Sequence, residues 1–424
     1  MAILKNTHYY LSRIINSEEK FTTILNRSLL NAKLSSQEVN LIRDSLKAIV
    51  NKYYFVRYEI KQALKQLDLQ INDNDFNILI ILVSMIQYVK SLSREDVINH
   101  LYQELDELET ELSFDVIKSI LDNISDKPIE IPEKANQTLY KKVALQYSYP
   151  EWVVKMLFKH FGVKDIYKSI ISSRKSQPIV VNYNRTYIDG SELDNELFKK
   201  TTLADTAYAY LGKEKIISLK LFKDNKIFVE DETSQLLIDK LDPRQGEEML
   251  FIDDSNGVLA LDACLRSNDF SNIQVCCKDS LSLHATNNII NRFQLGSVTA
   301  FESDMKLLIT HVEPRKMDKV LLVAPSSNFG LVRRHPDILL SFRRDNLDNL
   351  IENQKNALLE AERFVKNDGV LLYAVYTMNL KEGQNIIKEF LETHEEYSLL
   401  EERQIFPYYG PSDGIYYAKM KKVG

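Results

Sequence analysis

The sequence predicts an α/β protein in which an all-helical domain precedes a doubly wound, Rossmann-like sheet domain. Residues 1–125 carry apolar side chains at three- and four-residue spacing and almost no glycine, which is typical of packed helices. From residue 226 onward, apolar runs of strand length alternate with helical stretches, as in a parallel sheet with crossover helices. A chain of 424 residues is also too long for one core, so several domains are expected.

The helical domain is predicted from its stripes and its start signals. The residues Leu41–Val50 and Ile78–Val89 each place apolar side chains on one helix face. Polar residues that favour helix N-termini precede such stripes at Ser35, Asn74–Asp75 and Ser93. Two prolines in the segment 126–133 cannot continue a helix, which predicts a linker there.

The remaining chain is divided into residues 126–225, a linker and small mixed α/β connecting module, and residues 226–424, the Rossmann-like domain. In the module, Pro178–Asn182 is predicted to be a strand. In the last domain the predicted strands are Glu248–Ile252, Asn272–Cys276, Lys319–Val323 and Val370–Val375, and the longest predicted helix is Asn346–Phe364.

Composition excludes several classes of protein. No stretch reaches the ~20 apolar residues that a membrane helix needs, and the N-terminus lacks the pattern of a secretion signal. We therefore expect a cytoplasmic, monomeric protein without a membrane partner. The three cysteines, Cys264, Cys276 and Cys277, do not have the spacing of a disulfide framework or a metal site. They are expected to be reduced and buried, and no metal is predicted.

The distribution of charged residues allows two interpretations. The net charge of −6 argues weakly against nucleic-acid binding, but its distribution is uneven. Basic residues gather at Arg315, Lys316, Lys319, Arg333, Arg334, His335, Arg343 and Arg344. This group is either a solvated surface or a set of phosphate contacts.

One tract in the basic region has an unusual sequence. Residues 323–330 read Val-Ala-Pro-Ser-Ser-Asn-Phe-Gly, and residues 333–337 read Arg-Arg-His-Pro-Asp. The tract resembles the Asp-Ala-Pro-Cys-Ser-Gly-Thr-Gly loop and the following Arg-Arg-His-Pro-Asp of the Sun/Fmu (RsmB-type) ribosomal RNA cytosine-5 methyltransferases. Further resemblances follow in the family's order at residues 147–152, 229–235, 368–374 and 413–419.

The resemblance implies a fold, a cofactor and a partner. It implies a NusB-like RNA-binding domain in the helical first third and a methyltransferase-type Rossmann-like domain after it. The implied cofactor is S-adenosylmethionine, and the implied partner is ribosomal RNA or a precursor of the small ribosomal subunit. Within the basic region, Arg333, Arg334, His335, Arg343 and Arg344 are then expected to contact RNA.

The family's reacting groups are replaced in this sequence. Methylation of cytosine carbon 5 requires a nucleophile at carbon 6, a task that suits a thiolate. The resemblance places the family's nucleophilic cysteine at Tyr376 and its second cysteine, which assists product release, at Ser326. The aspartate that precedes the second cysteine is Val323 here. A phenol cannot take the role of the thiolate, so the catalytic site is expected to be degenerate.

The implied cofactor site is also altered. The family's Leu-Asp-Leu-Cys-Ala-Ala-Pro-Gly-Gly-Lys turn corresponds to residues 250–259, in which Asp253 and a single glycine, Gly257, remain as candidates. The ribose-binding acid aligns with Cys277, although Asp279 follows two residues later. Asp304 matches the carboxylate expected near the adenine. We therefore expect S-adenosylmethionine to bind weakly or not at all.

Two functions from different classes remain open at this point. The first is a non-catalytic protein that binds ribosomal RNA, and the second is a working S-adenosylmethionine-dependent methyltransferase with an atypical site. Loss of both cysteines favours the first. A displaced thiol, a nucleophilic Ser326, metal coordination by Asp253 and Asp254, or another small-molecule ligand are weaker alternatives. Trp152 is expected in the core rather than stacked on a base.

Overall fold

The computed structural model describes residues 2–16, 20–30, 33–131, 138–193, 195–252 and 256–423. The chain forms two compact units. The helical unit runs to Arg174 and also takes in Arg334–Arg344, and the sheet unit comprises Lys175–Arg333 and Asp345–Gly424. No helix in the described ranges is long and apolar enough to cross a membrane.

The α-helices among the described residues begin and end as follows. They are α1 (Ile3–Ile15), α2 (Phe21–Thr23), α3 (Ser36–Gln66), α4 (Asp73–Tyr88), α5 (Arg94–Glu104), α6 (Phe114–Asp122), α7 (Leu139–Gln146), α8 (Glu151–Phe161), α9 (Val163–Ser173), α10 (Lys220–Lys223), α11 (Glu232–Leu241), α12 (Val258–Arg266), α13 (Ser280–Phe293), α14 (Ile338–Ser341), α15 (Leu347–Glu362) and α16 (Gln384–Thr393).

Side-chain caps fix the starts of the helices in the helical unit. The predicted cap at Ser35 is confirmed, because its Oγ accepts from the Glu38 backbone N–H while the Glu38 carboxylate accepts from the Ser35 N–H. Ser93 caps α5 in the same way with Asp96. The cap of α4 is Asn72 rather than Asn74, since the Asn72 amide oxygen accepts from the Asp75 N–H at 2.8 Å.

The unit boundaries differ from the sequence-based division at 125 and 225. Helices α7, α8 and α9 belong to the helical unit because their apolar faces, including Val143, Val154 and Ile166, are buried. The segment Arg334–Arg344 joins the same unit through α14, in which Leu339 is buried. Part of the predicted linker, from residue 132, lies outside the described residues.

Two sheets form the sheet unit. The strands are β1 (Ile179–Tyr183), β2 (Phe198–Lys200), β3 (Tyr208–Tyr210), β4 (Ile227–Val229), β5 (Glu248–Ile252), β6 (Asn272–Cys277), β7 (Val298–Glu302), β8 (Met317–Val323), β9 (Val365–Val375), β10 (Tyr397–Ile405) and β11 (Ile415–Lys422). The small antiparallel sheet has the order β2-β3-β1-β4, and the large sheet has the order β10-β11-β9-β8-β5-β6-β7.

The large sheet is doubly wound, which confirms the predicted fold class. Strands β7, β6, β5, β8 and β9 are parallel, and β11 is antiparallel to β9 and β10. Successive residues of β5 enter different cores: Phe251 packs with α11 and α12, whereas Leu250 packs with α15 and α16. Burial on both faces explains why these strands read as continuous apolar runs. Strand order reverses between β5 and β8, where such sheets bind ligands beyond the carboxyl ends of the strands.

Candidate functional site

The loop that follows β8 is held tightly to its surroundings. The Ala324 N–H donates to the Ala374 carbonyl at 2.9 Å, and the Gly330 N–H donates to the Tyr376 carbonyl at 3.1 Å. The Gly414 N–H donates to the Gly330 carbonyl at 2.9 Å. A Cβ on Gly330 would lie 1.8 Å from the Gly414 carbonyl oxygen, so this approach requires glycine. The loop therefore keeps one conformation relative to β9 and β11.

A buried carboxylate fixes the same loop from the other side. Glu382 is fully buried, and its carboxylate accepts from the Ser327 N–H at 2.8 Å and the Ser327 hydroxyl at 2.6 Å. It also accepts from Thr377 Oγ1 at 2.9 Å, Asn379 Nδ2 at 3.0 Å and Gln354 Nε2 at 3.1 Å. Five donors satisfy the charge and join α15, the loop after β8 and the loop after β9. No local sequence pattern indicates that a glutamate beside a glycine is buried, so this group could not be predicted from the sequence.

The predicted nucleophile position holds a phenol that is already engaged. Tyr376 follows β9, and its hydroxyl lies 2.9 Å from the Ser234 hydroxyl on α11. Its ring and Val323 pack against the core that faces α11 and α12. Ser326, at the position of the second cysteine, donates to the Asn328 side-chain oxygen at 3.0 Å. Among the described residues, the arrangement offers an aromatic wall and hydroxyls, but no thiol, beyond the ends of β8 and β9.

All three cysteines are buried elsewhere in the sheet unit. Cys276 and Cys277 end β6 and are at most 2% exposed, and Cys264 lies within α12. Burial, together with the neighbouring Asp269 carboxylate, raises the pKa of the Cys264 thiol to about 12. A thiol with such a pKa is protonated near neutral pH and is a poor nucleophile. The expectation that the cysteines are buried and free is confirmed.

The turn after β5 retains one of the predicted cofactor-binding features. Gly257 precedes α12 as its N-cap residue with φ of +74°, a left-handed conformation that favours glycine, and a Cβ there would lie 2.9 Å from Thr286 Cγ2. Thr286, on α13, is fully buried, and its hydroxyl lies 3.6 Å from Cys277 Sγ. The positions of Gly257 and Cys277 thus pack against α13. Asp253, with Asp254, lies outside the described residues.

The described acidic candidates have local roles. Asp279 caps α13 by accepting from the Ser282 N–H at 2.8 Å, and Asp304 is exposed and accepts from the Lys306 N–H at 2.9 Å. Cys277, at the position expected to grip the ribose hydroxyls, presents a buried thiol instead of a carboxylate. The described residues therefore do not fit the acceptor set that S-adenosylmethionine requires at its ribose.

The predicted RNA-contacting residues have different environments. The Arg333 guanidinium, in the sheet unit, donates to the Pro407 carbonyl at 2.8 Å and the Ser412 carbonyl at 3.0 Å. In the helical unit, Arg334, Arg343 and Arg344 are exposed. His335 is half-buried, and burial lowers its pKa from the ordinary value. Only the three exposed arginines present their guanidinium groups to solvent in the way phosphate contacts need.

The aromatic side chains of Trp152, Tyr408 and Tyr409 differ in how far they are packed or exposed. Trp152 is half-buried in the helical unit, with its ring centroid 6.5 Å from that of Phe342 at an interplanar angle of 30°. In the sheet unit, Tyr409 is exposed and Tyr408 stacks on Phe406 at 5.8 Å. These contacts give Trp152 a packing role within its unit.

Comparison with known sequences identifies the closing part of the chain. Residues 271–421 match the family profile described as 16S rRNA methyltransferase RsmB/F. The probable ribosomal RNA small subunit methyltransferase B of Bacillus subtilis is 27% identical over 318 residues, covering 67% of this chain and 68% of that protein. The ribosomal RNA small subunit methyltransferase B of Yersinia pseudotuberculosis is 25% identical, covering 72% and 73%.

Solved structures share the fold along the chain. The crystal structure of PH0851 aligns over 99% of both chains with a TM-score of 0.72 and 18% identity. A methyltransferase homologue from Pyrococcus horikoshii covers 68% of this chain and 100% of its own, with a TM-score of 0.60 and 19% identity. These structures share the fold of this chain, and the sequence matches show that it is similar to small-subunit ribosomal RNA methyltransferases, with a region of the RsmB/F type at residues 271–421.

Proposed function

We propose that this protein binds small-subunit ribosomal RNA and does not methylate cytosine at carbon 5. The observation that supports this proposal is the placement of Tyr376 and the cysteines. Tyr376, which the resemblance aligns with the family's nucleophile, contacts Ser234, while all three cysteines of the chain are buried in β6 and α12. Without a thiolate beyond the ends of the strands, the covalent step has no nucleophile.

A tyrosine does not substitute for the missing cysteine. A phenol with an ordinary pKa near ~10 is almost entirely protonated at neutral pH, and oxygen is a harder, less suitable nucleophile for the carbon-6 attack than sulfur. Ser326 is no better placed, since its hydroxyl donates to Asn328. The methyltransferase alternative would need both a different nucleophile and a cofactor pocket that the described residues do not form.

The RNA-binding part of the proposal is supported by the exposed arginines of the helical unit. Arg334, Arg343 and Arg344 are exposed, so their guanidinium groups are accessible to solvent. Guanidinium groups of this kind form paired hydrogen bonds with phosphate oxygens and release counterions from RNA. The curated relatives act, by name, on small-subunit ribosomal RNA, which makes that RNA the partner we propose.

The test measures affinity for small-subunit ribosomal RNA as a function of salt, with the purified full-length protein. Each phosphate contact to single-stranded RNA contributes a slope of about −0.7 to log affinity against log salt. Replacing Arg334, Arg343 and Arg344 by Ala should weaken binding and flatten the slope by roughly 2 units. The matched control replaces the exposed Arg27, Lys118 and Lys164 by Ala, which removes the same charge from other helices.

Two results would contradict the proposal. An unmeasurable affinity of the wild type at moderate salt would remove the RNA partner, and equal slopes in the test and control variants would show that the arginines form an ordinary solvated face. Calorimetric titration with S-adenosylmethionine tests the other half. We expect no measurable heat of binding, and an affinity in the low micromolar range would restore the enzyme alternative.

A further inference from the structure

A cavity of about 240 Å³ opens within the helical unit, between α3 and α7. Its lining consists of Tyr54, Arg57, Tyr58, Lys61, Lys141, Ala144, Leu145, Tyr149 and Glu151. Three tyrosines supply aromatic surface, and three cations against one carboxylate leave the lining net positive. Tyr149 and Glu151 lie in the tract 147–152 that resembles the family, whereas the other lining residues lie outside the tracts of resemblance.

Helix geometry explains why these side chains converge. On α3, Tyr54, Tyr58 and Lys61 are spaced i, i+4 and i+7, so they lie on one face of the helix. On α7, Lys141 and Leu145 are spaced i and i+4 and line the opposite side. Lys61 and Lys141 are exposed at the rim, whereas Tyr149 is buried. The cavity therefore has an aromatic floor and a cationic rim.

The cavity adjoins one of the arginines already proposed to contact RNA. The Tyr54 hydroxyl donates to the Leu339 carbonyl at 2.6 Å, which ties the cavity wall to α14. Burial raises the pKa of Tyr54, and the positive charges of Arg57 and Arg343 oppose that rise, so Arg343 lies within electrostatic range of the wall. Arg343 thus adds a positive charge near this wall of the cavity.

We propose that this cavity seats one unpaired nucleotide of the bound RNA, with its base against the tyrosine rings and its phosphate between Lys61 and Lys141. The inference rests on the proposed RNA-binding function and names a site for it. Proteins recognise unpaired RNA by stacking bases on aromatic side chains beside cations that hold the backbone. The volume is below the ~300–1,000 Å³ of pockets for drug-sized ligands, so it suits a single base better than an extended molecule.

The experiment measures anisotropy of a fluorescein-labelled, single-stranded oligouridylate, with the full-length protein and its variants. Tyr58→Ala should weaken binding about tenfold through loss of stacking, and Tyr58→Phe should bind like the wild type because it keeps the ring. Because the two lysines would hold one phosphate, Lys61→Ala with Lys141→Ala should flatten the salt slope by about 0.7 units. The control, Tyr102→Ala, removes a tyrosine that is 74% exposed on α5, and its affinity should be unchanged.

The outcomes separate this inference from the function on which it rests. No binding of oligouridylate or ribosomal RNA by the wild type overturns both. Tight wild-type binding with unchanged affinity in Tyr58→Ala and in the lysine pair overturns the cavity and leaves RNA binding intact. If Tyr58→Phe binds the oligonucleotide as weakly as Tyr58→Ala, base stacking is overturned, because the loss of affinity is then due to the hydroxyl. If uridine monophosphate competes with the oligonucleotide and binds with the same affinity, RNA is overturned as the occupant of the cavity. Circular dichroism confirms that each variant is folded.

Discussion

Two neighbouring parts of the sheet unit differ in what they keep. Around Glu382, every oxygen of a buried carboxylate has donors, and the loop after β8 is anchored through Ser327. Tyr376 and Ser326, in the same two loops, carry a phenol and a hydroxyl at the positions where the resemblance predicts the family's two cysteines. The framework of the loops is therefore independent of the thiols that the family uses.

The difference follows from the energetics of the two sets of residues. Breaking a buried pair leaves a charge without donors or donors without an acceptor. The loss of folding free energy is about 3–5 kcal/mol for such a pair. A cysteine beyond the strand ends contributes little to stability, so its replacement leaves the fold intact. The largest effects of mutation on stability are thus expected around Glu382, and replacement of the residues at the predicted chemical positions should change stability little.

The largest expected effect is at Glu382 itself. Glu382→Ala leaves five buried donors without their acceptor and should lower the free energy of unfolding by roughly 3–5 kcal/mol. Chemical denaturation followed by circular dichroism measures this change. The matched control is Glu389→Ala, which removes an exposed carboxylate paired with Lys355 and should cost at most ~0.5 kcal/mol. Equal midpoints for the two variants would show that the network does not support the loop.

Adjacent arginines provide a second, intermediate effect. Arg333→Ala removes two charge-assisted hydrogen bonds to the Pro407 and Ser412 carbonyls and should cost about 2 kcal/mol of stability while the RNA salt slope stays unchanged. Arg334→Ala should do the reverse, with little loss of stability and a flatter slope by about 0.7 units. The two variants are each other's control. A flatter slope in Arg333→Ala would return that residue to the RNA surface.

The smallest effect is a pH dependence in the helical unit. Burial lowers the pKa of His335 below 6.5, so the unfolded chain binds a proton more readily than the folded protein. Stability from this residue is present above pH 6.5 and decreases as the pH falls below that value. Fluorescence of Trp152, the only tryptophan, reports unfolding of this unit. As the pH falls below 6.5, His335→Gln should lose less stability than the wild type. Identical profiles of stability against pH for the two proteins would rule out the effect.

Much of the fold could be predicted, and the reason is visible in particular strands. Strand β5 has the predicted bounds because residues buried on both faces form an uninterrupted apolar run. The unit boundary could not be predicted, because the burial of α7 to α9 and α14 depends on packing that no local pattern reveals. Likewise, the sequence places Arg333 and Arg334 together, although one bonds carbonyls and the other faces solvent.

The positions aligned with the family's reacting residues were singled out from the sequence, whereas the residues that support the loop were not. Tyr376, Ser326 and Val323 were located through their place in a linear motif. Glu382 makes contacts with residues up to 55 positions away, which linear patterns do not record. The cavity between α3 and α7 had a usable signal, since Tyr54, Tyr58 and Lys61 follow helical spacing, but its second wall comes from a different helix.

The most direct test of the central claim maps 5-methylcytosine in small-subunit ribosomal RNA from cells with and without this protein, by bisulfite sequencing or mass spectrometry. Because no thiolate is available where Tyr376 stands, the two maps should be identical at every cytosine. A 5-methylcytosine that disappears with the protein and returns with the wild-type chain would contradict the account, and would show that this site methylates RNA by another route.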